Sequence, residues 1–119
     1  MEQQTILIVD DDREIVRVIS KILELEGYKT LKAYDGLEAL DMLVGNVVHL
    51  IMIDIMMPQL NGLAAVMKIR ETNNIPILLL SAQTEETDKV LGLSLGADDY
   101  FSKPFNIQEM HSRVTHPPR

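Results

Sequence analysis

Ile6-Leu7-Ile8-Val9-Asp10-Asp11-Asp12 decides the fold: four consecutive large aliphatic residues run straight into three acids. The arrangement recurs at Leu50-Ile51-Met52-Ile53 before Asp54, and at Ile77-Leu78-Leu79-Leu80 before Ser81. Such runs are too short for helices and are continuous rather than alternating, so each reads as a strand covered on both faces. Strands of that kind belong to a parallel sheet with helices on either side. Lys29 to Ala33 mixes Lys29, Thr30 and Lys32 with Leu31 and Ala33, and Tyr100 to Ser102 is short and part polar. These two are expected at the edges of the sheet.

Helical patterns fill the spaces between the strands. Ile15, Val18, Ile19, Ile22 and Leu23 form one apolar stripe, closed by Gly27 as a left-handed cap. A second helix opens at Asp35-Gly36-Leu37-Glu38, an acid cap with Glu three residues later, and stops at Gly45-Asn46. A third covers about Leu63 to Arg70, and a fourth runs from about Glu85 to Leu95 and ends at Gly96. The fifth starts from Asn106 as cap with Glu109 three residues on, shows Ile107, Met110 and Val114 on one face, and cannot continue through Pro117-Pro118. Strand and helix therefore alternate five times, which calls for an α/β, doubly wound (βα)5 fold with five parallel strands. With the second and fifth strands at the edges, right-handed crossovers give the order 2-1-3-4-5 of flavodoxin-like folds.

Length and composition narrow the function classes. The chain has 119 residues, enough for one domain with its own core, and no Cys, so disulfide scaffolds and Cys-based zinc sites or nucleophiles are excluded. No apolar run approaches the roughly 20 residues that cross a bilayer, so no membrane association is expected. The opening Met1-Glu2-Gln3-Gln4 lacks the basic and apolar regions of a signal peptide, which makes the cytoplasm the expected location. Eighteen acids against eleven Lys and Arg give a net charge of -7, the wrong sign for gripping phosphate backbones or anionic lipid. Seven Met residues are scattered along the chain and read as core filler.

In the order 2-1-3-4-5 the winding reverses between the first and third strands, and ligands bind beyond the carboxyl ends of strands at such a point. Asp10, Asp11 and Asp12 follow the first strand, and Asp54 ends the third. Carboxylates about 5 Å apart repel by roughly 3 kcal/mol per pair at an effective dielectric near 20, so the cluster calls for a divalent cation, protons or a bound base. An all-oxygen set suits Mg2+ or Mn2+. Asp12 fits better as a helix cap. The fourth and fifth strands deliver Ser81 and Lys103, a hydroxyl donor and a point cation, to the same crevice, with Pro104 fixing the turn after Lys103. Carboxylates, a cation and a hydroxyl together are matched to a metal plus a phosphoryl group.

These residues resemble the receiver domain of bacterial two-component response regulators from about Thr5 to Val114. The resemblance is carried by Ile6 to Asp12, Asp54-Ile55-Met56-Met57-Pro58 with Gly62, Leu80-Ser81-Ala82, and Gly96-Ala97-Asp98-Asp99-Tyr100-Phe101-Ser102-Lys103-Pro104-Phe105. It implies that Asp54 is the phosphoacceptor. It also implies that Asp11 and Asp54 bind Mg2+ with the backbone carbonyl of Met56, Asp10 helping mostly through water. Ser81 would donate to one phosphoryl oxygen and Lys103 would pair with another, while Tyr100 matches an aromatic switch position. A sensor histidine kinase would supply the phosphoryl group. The closest subgroup is the OmpR/PhoB type, which joins a winged-helix DNA-binding domain and dimerises through the fourth helix, fifth strand and fifth helix. Lys89 with Glu109, and Asp99 with Arg113, match that group's intersubunit ion pairs. DNA would then be reached only through an output domain. Residues 1–115 are expected to form the receiver domain and 116–119 a tail or the start of a linker.

Some positions depart from that pattern. Thr115-His116-Pro117-Pro118-Arg119 shortens the fifth helix and lacks the basic finish usual there. His111 falls on the apolar stripe and is expected to be packed or half-exposed, while His49 and His116 read as surface residues. No His is placed as phosphodonor. Met56 and Gln83, two residues beyond Asp54 and Ser81, lie where the family's attacking water approaches. Three other readings stay open: a dehalogenase-type phosphatase, which would need an Asp where Met56 stands; a flavodoxin-like cofactor binder, whose phosphate loop Asp10 to Asp12 would oppose; and a stand-alone adaptor that no longer takes phosphate.

Overall fold

The computed structural model describes residues 3–57, 60–82, 86–103 and 106–115. In chain order the elements are β1 (Thr5–Val9), α1 (Arg13–Leu25), β2 (Lys29–Ala33), α2 (Gly36–Gly45), β3 (Leu50–Asp54), α3 (Gly62–Arg70), β4 (Ile77–Ala82), α4 (Glu86–Leu95), β5 (Asp99–Lys103) and α5 (Ile107–Thr115). The strands form one sheet in the order β2-β1-β3-β4-β5, and every neighbouring pair is parallel.

The unbroken apolar runs are explained by two cores, one on each face. Leu7, Val9, Ile51, Ile53, Ile77 and Leu79 point into one, with Ala39 of α2 and Ala65, Val66 and Ile69 of α3. Ile6, Ile8, Leu50, Met52, Leu78 and Leu80 point into the other, with Val16, Ile19 and Leu23 of α1 and Met110 and Val114 of α5. Side chains alternate across a strand, so a strand buried on both sides needs apolar residues at every position. Burying each such side chain contributes about 1.5–3 kcal/mol. The outer strands β2 and β5 are only partly buried, as their mixed composition requires.

Helix ends follow local chemistry. Asp12 caps α1 by accepting from the Glu14 and Ile15 amides, Asp35 caps α2 through the Glu38 amide, and Asn106 accepts from the Gln108 and Glu109 amides at the start of α5. Gly27 follows α1 with φ of 96°, where a β-carbon would be strained. Two boundaries differ from the sequence reading. β4 extends beyond Leu80 through Ser81 and Ala82, and β5 covers Asp99 to Lys103. Ser81 pairs with Ser102 and Ala82 with Lys103, so backbone ladder bonds carry both strands past the apolar residues that announced them. Glu85, Pro104, Phe105 and the 116–119 tail lie outside the described residues, as do Pro58 and Gln83. No described helix is long and apolar enough to cross a membrane.

Candidate functional site

The carboxyl ends of β1, β3, β4 and β5 bring Asp10, Asp54, Ser81 and Lys103 to one crevice. Asp10 leaves β1 with its amide bonded to the Ala33 carbonyl, and one of its carboxylate oxygens accepts from the Asp12 amide at 3.0 Å. Asp54 ends β3, and the chain behind it is pinned by Ile55 N–H to the Leu80 carbonyl and Gly62 N–H to the Ile55 carbonyl. Gly62 is required there, because a β-carbon on it would stand 2.1 Å from the Asp54 carbonyl oxygen. Asn61 caps the helix that begins at Gly62.

Asp10, Asp54 and Ser81 are buried, while Asp11 is exposed at the mouth. The Lys103 ammonium lies 2.7 Å from Asp10 Oδ2 and 3.5 Å from Asp54 Oδ1. Asp10, Asp11 and Asp54 each offer an oxygen within 4.8 Å of the others'. One ammonium among three carboxyl groups leaves an excess of negative charge in a place poor in water. Burial raises the Asp54 carboxyl to about 7, and Asp10 adds to the rise against the opposing pull of Lys103. Burial also raises Asp10, with Lys103 opposing. For Lys103, burial alone would lower the ammonium, but its bond to Asp10 and the charge of Asp54 outweigh that and the net shift is upward.

The Ser81 hydroxyl is fully buried and has no hydrogen-bond partner among the described residues. A buried hydroxyl without a partner costs stability, and at Ser81 it leaves a donor available beside the carboxylates of the crevice. Asp12 stands apart as the α1 cap. Met56 is 58% exposed beside the crevice. A cleft of about 500 Å³ lined in part by Thr5, Lys29 and His49 lies at the other end of the sheet, where β1 and β2 begin, away from these carboxylates.

Tyr100 is partly buried on β5 and packs against the core that holds α2 and α3. Lys89, which composition places on a solvated helix face, is instead buried, donating from Nζ to the Ser102 hydroxyl at 3.1 Å. Arg113 and Asp99 pair with each other within the chain, and Glu109 is exposed. His49 is more than a surface residue: half-buried, it accepts the Thr5 amide on Nδ1 at 2.9 Å. His111 is half-exposed and meets Glu26, the residue after α1, at 2.8 Å. Three partnerships were not read from the sequence: Ser102 with Lys89, Arg13 with its guanidinium 3.9 Å from the centre of the Tyr34 ring, and Arg70 with Asp98 at 2.9 Å. The Arg70 clamp also reaches the Gly96 carbonyl, and Asp98 accepts the Ile77 amide, so it fixes the end of the sheet remote from the crevice.

Comparison with known proteins gives a consistent result. A family model described as the response regulator receiver domain matches residues 6–115. The transcriptional regulatory protein CpxR of Escherichia coli K12 is 45% identical over 109 residues, which are 92% of this chain and 47% of that protein. The chain spans about half the length of the curated relatives it matches. Among solved structures, a putative response regulator from Chloroflexus aurantiacus J-10-fl superposes with a TM-score of 0.91 at 34% identity, covering 96% of each chain. The receiver domain of the Francisella response regulator 1452 gives a TM-score of 0.88 at 39% identity, covering 95% of this chain and 94% of that one.

Proposed function

Because the chain belongs to the family of response regulator receiver domains, we propose that it is the phosphoacceptor of a two-component system, with Asp54 as the residue that takes the phosphoryl group. One observation carries this reading: a single ammonium, Lys103, reaches both the Asp10 and Asp54 carboxylates, and the buried Ser81 hydroxyl lacks a partner among the described residues. The crevice thus combines a nucleophile, a cation and an idle donor.

In the proposed reaction an Asp54 carboxylate oxygen attacks phosphorus in line. The new O–P bond forms as the N–P bond of a phosphohistidine on a sensor histidine kinase breaks, its electron pair staying on the imidazole. Lys103 moderates repulsion between the anionic nucleophile and the anionic phosphoryl group. Ser81 donates to a phosphoryl oxygen and so gains the partner it lacks. Asp10, Asp11 and Asp54 fit Mg2+, or Mn2+, on the grounds of their all-oxygen chemistry and mutual spacing, with the Met56 backbone carbonyl as a further ligand. When bound, such an ion supplies positive charge that offsets the carboxylates and the phosphoryl oxygens. Water later hydrolyses the acyl phosphate, returning Asp54 and inorganic phosphate. The chain therefore assists its own modification rather than turning over a substrate as an enzyme does.

Phosphorylation adds roughly -1.5 to -2 charge, by analogy with other phosphorylated side chains, where Lys103 and Ser81 can meet it. Movement of Ser81 toward the new group lets the Tyr100 ring turn inward, which alters the face made by α4, β5 and α5. We assign to that face the pairing of two chains in the manner of OmpR/PhoB-type regulators, through Lys89 with Glu109 and Asp99 with Arg113. Residues 1–115 make the receiver and 116–119 a tail or the start of a linker, and transcription is controlled in the cytoplasm through a DNA-binding output domain.

The test is the intact mass of the chain and of Asp54→Ala after incubation with acetyl phosphate and Mg2+. A gain of one phosphoryl group in the parent, absent from the variant and abolished by EDTA, is the expected result. Failure with acetyl phosphate and with histidine kinases alike would overturn it and favour a phosphate-independent adaptor.

A further inference from the structure

Lys89 belongs to the exposed outer layer by composition, yet it is only 4% exposed. Its ammonium donates to the Ser102 hydroxyl at 3.1 Å and stands 5.1 Å from the centre of the Tyr100 ring. Tyr100 and Ser102 are two residues apart on β5, so they share one side of the strand. An ammonium taken out of water needs oriented partners, and a hydroxyl lone pair and an aromatic face are two of them here. The same strand carries Lys103, which meets Asp10 and Asp54, and Ser102 lies opposite Ser81 in the β4–β5 ladder. Five residues of β5 thus connect the crevice to α4.

We propose that Lys89, Ser102 and Tyr100 form a latch: Ser102 is a positioning residue that holds Lys89 inward against Tyr100, and the latch must open before Lys89 can face a second copy of the chain. This rests on the reading of Tyr100 as the switch and of the α4–β5–α5 face as the dimer surface. A side chain 4% exposed cannot reach across to Glu109 of another copy, and the Arg113–Asp99 pair is likewise closed within one chain. Rotation of the Tyr100 ring removes the aromatic face from beneath the ammonium, while the bond to Ser102 still draws Lys89 inward. Signal transfer then sets the holds on Lys89 within its own chain, Ser102 among them, against a carboxylate of another.

A symmetric dimer opens two latches, so latch strength subtracts twice from association. The test compares the parent with Ser102→Ala, which deletes the acceptor, and Ser102→Thr, which keeps a hydroxyl. The Lys89 ε-methylene resonance, identified by its loss in Lys89→Arg, reports the Tyr100 ring directly, while sedimentation velocity reports association with and without phosphorylation. The latch predicts an upfield Lys89 signal in the parent and in Ser102→Thr, and its loss in Ser102→Ala. It also predicts that Ser102→Ala associates at least about a hundredfold more tightly than the parent without phosphate, the scale set by losing one charge-assisted hydrogen bond in each of the two chains. A Lys89 signal unmoved by Ser102→Ala overturns the latch. A moved signal without tighter association overturns its control of dimerisation. If the parent gains a phosphoryl group by mass, loses the upfield signal and stays monomeric, the dimer surface is wrong and the gating role falls with it, while the tether itself stands.

Discussion

Asp54 is expected to destabilise the fold it serves. Its carboxyl rises from an ordinary 3.8 to about 7, chiefly because it is buried and then because Asp10 is near. The folded chain therefore keeps a proton that the unfolded chain releases between about pH 4 and pH 7, and stability falls as pH climbs through that window. Roughly three pKa units at about 1.4 kcal/mol each set a ceiling of about 4 kcal/mol on the cost at pH 8. Asp54→Asn removes the charge and keeps the shape. With Mg2+ chelated, the variant should exceed the parent by about 2–4 kcal/mol at pH 8, a large part of the stability of a small domain. Urea unfolding in EDTA measures it: at a slope of about 2 kcal/mol per molar, the midpoint should rise by about 1–2 M. The advantage should shrink by more than half by pH 5, where the folded carboxyl is protonated and the unfolded one is within about a unit of its own pKa. A variant no more stable than the parent at pH 8, or an advantage that does not change with pH, would refute the electrostatic account of the crevice.

Lys103→Met should act in the opposite direction, leaving Asp10 and Asp54 without their shared cation; a loss of about 2–4 kcal/mol in EDTA at pH 8 and slower phosphoryl uptake by mass are expected, and unchanged urea midpoints would count against the pairing. Gly62→Ala places a β-carbon 2.1 Å from the Asp54 carbonyl oxygen, so the strand end must shift; a loss of at least about 2 kcal/mol and a large drop in phosphorylation are expected, and a variant that behaves as the parent on both counts contradicts the packing. Ser20 is 2% exposed in α1 with a hydroxyl that has no partner among the described residues, so Ser20→Ala should stabilise by about 0.5–1 kcal/mol; a loss of stability in thermal unfolding would show that the hydroxyl is satisfied.

The fold was legible because its signals are local or periodic. Ile6 to Val9, Leu50 to Ile53 and Ile77 to Leu80 each had to be covered on both faces, and only a parallel sheet between helix layers does that. Asp12, Asp35 and Asn106 announced helix starts through bonds to amides two or three residues away. The members of the crevice were legible for a related reason: each lies at or just past the carboxyl end of a strand, and strand order alone gathers them. Partnerships between distant residues were not. Nothing in Lys89 or Ser102 taken singly marks a buried ammonium, since the burial follows from where α4 settles on β5. His49 accepts an amide from β1 across the sheet, and Arg70 grips the α4–β5 connection, because the chain fold brings those groups near. The polar ends of β4 and β5 escaped for another reason: ladder pairing at Ser81–Ser102 and Ala82–Lys103 is indifferent to side-chain hydropathy.

We propose Asp54, rather than Asp10 or Asp11 beside it, as the residue that receives the phosphoryl group. Reduction of the phosphorylated chain with borohydride converts an acyl phosphate to homoserine, and tandem mass spectrometry then locates it. The account predicts homoserine at position 54 alone; homoserine at position 10 or 11, or none in a chain whose intact mass shows the phosphoryl group, would contradict it.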